Sequence, residues 1–288
     1  MIKNKLNAFF AKLVPHRVWV QLSFLLVWLD PFGWRLHYIC APVFHCHSCP
    51  LATFACPIGV MANFAALHLF PFIALGIIVL VGILLGSIIC GWICPFGLFQ
   101  DLAAKIPTRK YNLPKWAGLF RYVVLLGAVL AVPYFFGSQH PLFICLFCPA
   151  GAVEAGVPNM VSQAASGQTI IWPNAIKLSV LALLLIAVFF VNRPWCRLLC
   201  PLGAIFGLFN RFSALFLGFN PDNCTDCNLC RKVCNYGVDP VAEPNDSRCI
   251  RCFECTKCSP AALTVDSIFK RSKKTDSSKF PVLQNDTK

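Results

Sequence analysis

The sequence predicts an all-α integral membrane protein, with four transmembrane helices in two parallel repeats and a small cysteine-rich module at the C-terminal end. Three observations predict it. The 288 residues are 57% hydrophobic and only 13% charged, with a mean hydropathy of +0.66, which is too apolar for an ordinary soluble domain. Four apolar runs approach or reach the ~20 residues that span a bilayer. A Cys-Pro motif stands beside each run, which is the signature of an internal repeat.

The elements follow in order. Residues 1–17 are polar and basic (Lys3, Lys5, Lys12, Arg17) and lead into the apolar run Val18–Leu29. No small-residue cleavage site follows that run, so an uncleaved first span is expected rather than a signal peptide. Asp30-Pro31 makes it the shortest of the four. Leu69–Ile89 is an unbroken uncharged run and forms the second expected span; its end delivers Cys90 and Cys94. A basic stretch (Lys105, Arg109, Lys110, Lys115) precedes the third, Leu119–Phe136. A Gly- and Ser-containing loop over 137–174 carries Cys145 and Cys148. The fourth span, Ala175–Val191, ends just before Cys196 and Cys200. Residues 202–219 read as a helix lying in the membrane interface. The expected division is a transmembrane domain over 1–220, a cysteine-rich module over 221–265 and a basic disordered tail over 266–288.

The formal charge is +13. In so apolar a chain the excess Lys and Arg sets topology and gives no reason to expect nucleic acid. Counted loop by loop, it places both termini, the 90–118 loop and everything after Arg193 on the cytoplasmic side. The expected location is the inner (cytoplasmic) membrane of a bacterium, crossed several times in contact with membrane lipid.

Eighteen cysteines carry the chemistry. The motif Cys90-Gly-Trp-Ile-Cys94-Pro-Phe-Gly recurs as Cys196-Arg-Leu-Leu-Cys200-Pro-Leu-Gly. Looser copies are Cys56-Pro-Ile-Gly and Cys148-Pro-Ala-Gly. Two thiolates in a tight segment reach one metal site. Proline after the second Cys suits a helix start, whose free N–H groups favour an anionic neighbour. Parallel symmetry between the halves brings Cys90, Cys94, Cys196 and Cys200 together as an inner quartet, with a further cluster expected there. It likewise gathers Cys145 and Cys148 near Cys49 and Cys56 as an outer set, with Cys40 and Cys46 as spare candidates. Disulfides are the alternative for that set. His37, His45, His47, His68 and His140 could ligate metal or hydrogen-bond a quinone, and plain solvated side chains are the alternative.

The most specific signal lies downstream, where Cys224, Cys227, Cys230 and Cys234 are followed by Cys249, Cys252, Cys255 and Cys258. In two-cluster ferredoxins the last Cys of each run ligates the other cluster. The pattern therefore assigns Cys224, Cys227, Cys230 and Cys258 to one 4Fe-4S cluster, and Cys249, Cys252, Cys255 and Cys234 to a second. Paired Cys-x-x-Cys also suits zinc. Asn235 stands where proline normally follows the fourth Cys, and the second run closes one residue early.

Two Cys-x-x-x-Cys-Pro motifs at span ends, followed by a double ferredoxin run, resemble the membrane-bound polyferredoxins. The likeness covers Leu69 through about Leu263. The chain resembles the quinol dehydrogenase membrane subunit of periplasmic nitrate reductase and the C-terminal half of the nitrous-oxide-reductase regulator. The resemblance implies electron transfer between the quinone pool or a cytoplasmic donor and a periplasmic cytochrome or iron–sulfur partner, with Cys90, Cys94, Cys196 and Cys200 functional. The outer set is not part of that pattern. No nucleophile, general base or phosphate loop is evident, so the expected role is a relay subunit of a quinol dehydrogenase complex rather than a bond-making enzyme. A metal-handling or regulatory membrane protein, or an assembly factor with structural clusters, is the alternative.

Overall fold

The computed structural model describes residues 2–29, 56–169, 172–257 and 262–268. Cys40, Cys46, Cys49 and Cys258, together with His37, His45, His47 and the tail from residue 269, lie outside them. Apart from one two-stranded sheet, the described elements are helical.

The expected four spanning helices in two parallel repeats are corrected by the helix lengths. Among the described residues one helix, Lys115–Phe136, is long and apolar enough to cross a membrane, with 22 residues and a hydropathy of 1.9. The run Leu69–Ile89 yields only the 14-residue helix Phe72–Leu85. At 1.5 Å per residue this reaches ~21 Å, short of the ~30 Å hydrocarbon core. It stops at Gly86, whose φ of 57° turns the chain into the short helix Ile88–Trp92. The run at 175–191 yields the 16-residue helix Ala175–Phe190. Arg193, left-handed at φ 49°, then swings the chain into Pro194–Leu198. In both halves the apolar run is spent partly on the turn that presents the cysteines. The first run forms Arg17–Leu29, 13 residues within the described part.

The long helix is not uniform. It opens in a 3-10 turn and widens to π-helical geometry over Leu125–Ala131. Pro133 explains the widening, because its ring clashes with the carbonyl four residues back and it has no N–H to offer. The same arrangement recurs at Gly151–Gly156, ahead of Pro158.

The Cys-Pro motifs act as helix starts. Cys56, Cys94 and Cys200 are extended N-cap residues for Pro57–Ala66, Pro95–Ala103 and Pro201–Phe209. Residues 202–219 do not form one interfacial helix. The helix ends at Phe209, and Leu215–Phe219 is a strand paired antiparallel with Leu263–Ser267. That pairing joins the chain before the cysteine-rich module to the chain after it. The N-terminal helix Ile2–Leu13 lies against the second strand, where the Val265 N–H donates to Asn7 Oδ1 at 2.8 Å. The main core gathers Ile58, Ile78, Ile89, Phe96, Val129, Ile144, Trp195, Leu202 and Phe206 around Cys94, Cys148 and Cys200.

Candidate metal centres

The two halves bring their motifs to one place. Cys90 sits in Ile88–Trp92 and Cys196 in Pro194–Leu198, while Cys94 and Cys200 cap the next helices. All four line one cavity, together with Phe96, Arg121, Arg197, Leu202, Ser247, Arg248, Cys249 and Ile250. Burial, reinforced by the neighbouring Cys196, pushes the Cys90 thiol up to about 12, and burial raises Cys94, Cys196 and Cys200 as well. Four thiols this deep are neutral until a positively charged core compensates them, so loading releases protons.

A polar frame sets their positions. Gln100 donates from Nε2 to Cys196 Sγ at 3.2 Å and accepts the Trp195 N–H on Oε1. The Gly203 N–H points at Cys200 Sγ at 3.4 Å. Arg193, 0% exposed, donates to the Cys90 carbonyl and grips Asp101 with Nε and NH2, each bond 2.6 Å. Arg17 meets the same carboxylate at 2.7 Å and the Tyr236 hydroxyl approaches it at 3.4 Å. Asp101 thus ties the first motif helix to the second motif, the N-terminal helices and the C-terminal module.

A second cavity is lined by Cys234, Cys249, Cys252 and Cys255, with Tyr236, Arg251 and Phe253. These four cysteines are the set that ferredoxin spacing assigns to one cluster. The two ferredoxin runs also share a backbone form. Asp226 and Asn228 flank Cys227 with φ of 49° and 53°, and Arg251 and Phe253 flank Cys252 with 51° and 59°. Left-handed residues alternating with right-handed ones turn successive N–H groups inward, a nest that suits an anionic iron–sulfur core. The Arg251 N–H points at Cys249 Sγ at 3.4 Å. Cys227 lies on the first nest and is exposed, with Cys224 and Cys230 on either side of it; their fourth expected partner, Cys258, is outside the described residues.

In the outer set a Cβ placed on Gly59 would lie 3.7 Å from Cys145 Sγ and 3.8 Å from Cys56 Cβ, so those two cysteines are neighbours. Cys148 packs in the same apolar cluster. Cys49 is not among the described residues. His68 packs edge-on against Tyr134, and His140 Nδ1 accepts the Leu142 N–H.

The donor sets fit 4Fe-4S clusters on charge as well as chemistry. Among the described residues, Arg121 and Arg197 have no carboxylate partner, although both are nearly fully buried on the wall of the quartet cavity. Arg251, 1% exposed, bonds only to neutral oxygens of Leu85, Asn210, Ser213, Leu215 and Asn245. Buried guanidinium groups require nearby negative charge, and a thiolate-bound cluster provides it. No three His, Cys, Asp or Glu side chains among the described residues converge on a single-ion position. A cluster takes one thiolate per iron, which spaces its ligands more widely than a lone zinc does.

Sequence reasoning missed Gln100 and Asp101 and counted Arg193 and Arg197 as loop charges; both arginines are buried. A lone Gln-Asp pair that begins three residues after the first motif ends, and an Arg-Pro just before the second, were the available signals.

Comparison with known proteins bears on the same residues. The family model described as 4Fe-4S binding domain matches residues 67–114 and 174–220, one copy around each inner Cys pair. The uncharacterized protein MJ0750 of Methanocaldococcus jannaschii is 30% identical over 206 residues, 68% of this chain and 78% of its own. The ferredoxin-type protein NapH of Haemophilus influenzae is 25% identical over 77% of this chain and 76% of its own. The regulatory protein NosR of Stutzerimonas stutzeri is 26% identical over 59% of this chain, which spans only 23% of NosR. No solved structure matches. With that extent of likeness to MJ0750, the chain belongs to its family, and it carries twice the 4Fe-4S binding domain that marks it as ferredoxin-type.

Proposed function

We propose that this ferredoxin-type protein is a membrane-associated relay, passing electrons between the quinone pool or a cytoplasmic donor and a periplasmic cytochrome or iron–sulfur partner. The observation that carries the reading is the convergence of Cys90, Cys94, Cys196 and Cys200 on one cavity beside the Cys234, Cys249, Cys252 and Cys255 cavity. In this reading each of these sets holds one 4Fe-4S cluster, Cys224, Cys227, Cys230 and Cys258 hold another, and Cys49, Cys56, Cys145 and Cys148 are candidates for a fourth. A bound cluster supplies reversible one-electron storage. The chain's own part is to exclude water with Phe96 and Leu202, to orient thiolates through Gln100 and the Gly203 N–H, and to offset negative charge with Arg121, Arg197 and Arg251. Membrane association is supported by broad exposed apolar faces, including Phe72, Ile73, Leu126, Phe135 and Leu183.

Anaerobic purification with iron and sulfide counting tests the ligand sets. About 8 irons per chain correspond to the ferredoxin pair alone, about 12 to the quartet in addition and about 16 to all four sets. Replacing Cys90 or Cys200 by Ala should remove the same EPR signal, leave the ferredoxin signals in place and stop electron passage from quinol. Eight irons in the wild type, with Cys90→Ala still active in quinol oxidation, would refute the quartet's role.

A further inference from the structure

The quartet cavity and the Cys234/Cys249/Cys252/Cys255 cavity share a wall. Cys249 and Ile250 line both the quartet cavity and the Cys234/Cys252/Cys255 cavity, and Ser247 and Arg248 continue that wall on the quartet side. No residue of the first ferredoxin run before Cys234 lines either one. Among the described residues, Cys249 and Ile250, within the segment Ser247–Arg251, are the ones that line both cavities.

That segment is clamped onto the motif helices. Ser87 Oγ and Asn210 Nδ2 both donate to the Cys249 carbonyl, at 2.6 and 2.8 Å. Trp92 Nε1 donates to the Arg251 carbonyl at 3.0 Å, and Arg121 NH2 to the Ser247 carbonyl at 3.0 Å. Asn210 Oδ1 accepts the Ser87 N–H, closing the frame between the two halves. Two glycines permit the approach. A Cβ on Gly91, inside the first motif, would come within 2.5 Å of the Ile250 carbonyl oxygen, and one on Gly207, beyond the second motif, would press still closer on that of Ser247. Backbone cannot yield there as a side-chain tip could. The first half thus contributes one glycine, a hydroxyl and an indole donor to these five residues, the second one glycine and an amide donor, and Arg121 a guanidinium.

We propose that Ser247–Arg251 is a fixed electron bridge, which makes the Cys234/Cys249/Cys252/Cys255 centre, and not the Cys224/Cys227/Cys230 centre, the direct exchange partner of the quartet. The inference rests on the proposed clusters. The transfer moves one electron from one centre to the other, oxidising the first and reducing the second, with no bond made and no proton moved. Gly91 and Gly207 are positioning residues for it, because they set how closely Cys249 and Ile250 sit against the quartet.

Two neighbouring paramagnetic centres broaden one another's signals and speed their relaxation, so the test is low-temperature EPR of the dithionite-reduced full chain. In the wild type the quartet signal should show this broadening. Cys252→Ala, which removes the bridged centre, should lose it, and Cys227→Ala, which removes the other ferredoxin centre, should keep it. Gly207→Ala, whose single methyl meets the Ser247 carbonyl, should weaken the broadening at the wild-type iron count. A quartet signal of the same width and saturation in Cys252→Ala as in the wild type, with iron reduced by one cluster, would overturn the bridge while leaving the clusters in place. Absence of any quartet signal in the wild type would overturn the cluster assignment itself, and the bridge with it.

Discussion

Asp101 shows how single side chains hold this site. Burial alone would raise its carboxyl, but the Arg193 charge and hydrogen bonds, followed by Arg17 and Tyr236, hold it below the usual carboxylate range. A depressed folded pKa contributes stability that is complete above the unfolded value of ~3.9 and is lost as pH falls through the folded value. Asp101→Asn leaves Arg193 buried without its counter-charge, so it should cost on the order of 3–5 kcal/mol at pH 7. The gap to wild type should narrow in denaturant titrations taken well below pH 4. An equal gap at both pH values would show that the ion pair is not the cause. Gln100 acts on the chemistry rather than on stability, through its 3.2 Å bond to Cys196 Sγ. Hydrogen bonds to cluster sulfurs raise the reduction potential. Gln100→Leu should then lower the quartet's midpoint by on the order of 50 mV with iron content unchanged, as read by redox titration followed by EPR. A midpoint equal to the wild type's would remove Gln100 from the site's electronics.

At the scale of elements, the Cys-Pro starts were legible because proline's missing N–H and fixed φ leave few other places for it; Pro57, Pro95 and Pro201 each open a helix. Helix length was not legible from hydropathy. Leu69–Ile89 reads as one span, yet the structure breaks it at Gly86, because Cys90 must turn toward the opposite motif. The ladder of charges misled for a related reason: Arg193 and Arg197 look like loop cations and are instead buried beside the cysteines. The nests were hidden too, since Asp226, Asn228, Arg251 and Phe253 occupy the left-handed region where glycine is the usual marker. At Asn228 that conformation is testable, because the side chain is exposed. Asn228→Gly should leave stability near the wild type, while Asn228→Val should cost about 1–2 kcal/mol. The valine variant should also lose iron from the first ferredoxin site alone. Equal melting and equal iron in both variants would show that the left-handed turn is not needed to hold that site.

At the scale of the whole molecule, among the described residues Cys94, Cys148 and Cys200 are buried while large apolar residues remain outside. Trp116 is 72% exposed, Phe72 75% and Phe135 74%, and the helices that carry them pack their other faces on the core. Soluble monomers rarely leave so many large apolar side chains uncovered, and a lipid environment satisfies them without further protein. The basic residues Lys105, Arg109 and Lys110 precede the long helix and Lys115 opens it, where anionic headgroups would meet them. The chain should therefore sediment with membranes, resist extraction by high salt and by alkaline carbonate, and come off in mild detergent. Leu126→Glu combined with Leu183→Glu places two charges on this surface, away from the residues that line either cavity. That double variant should shift the protein toward the carbonate-soluble fraction while keeping its iron count, which separates loss of lipid contact from loss of fold. If the wild type is released by salt or carbonate alone, the exposed faces are covered by a protein partner instead, and lipid is not what holds this protein in place.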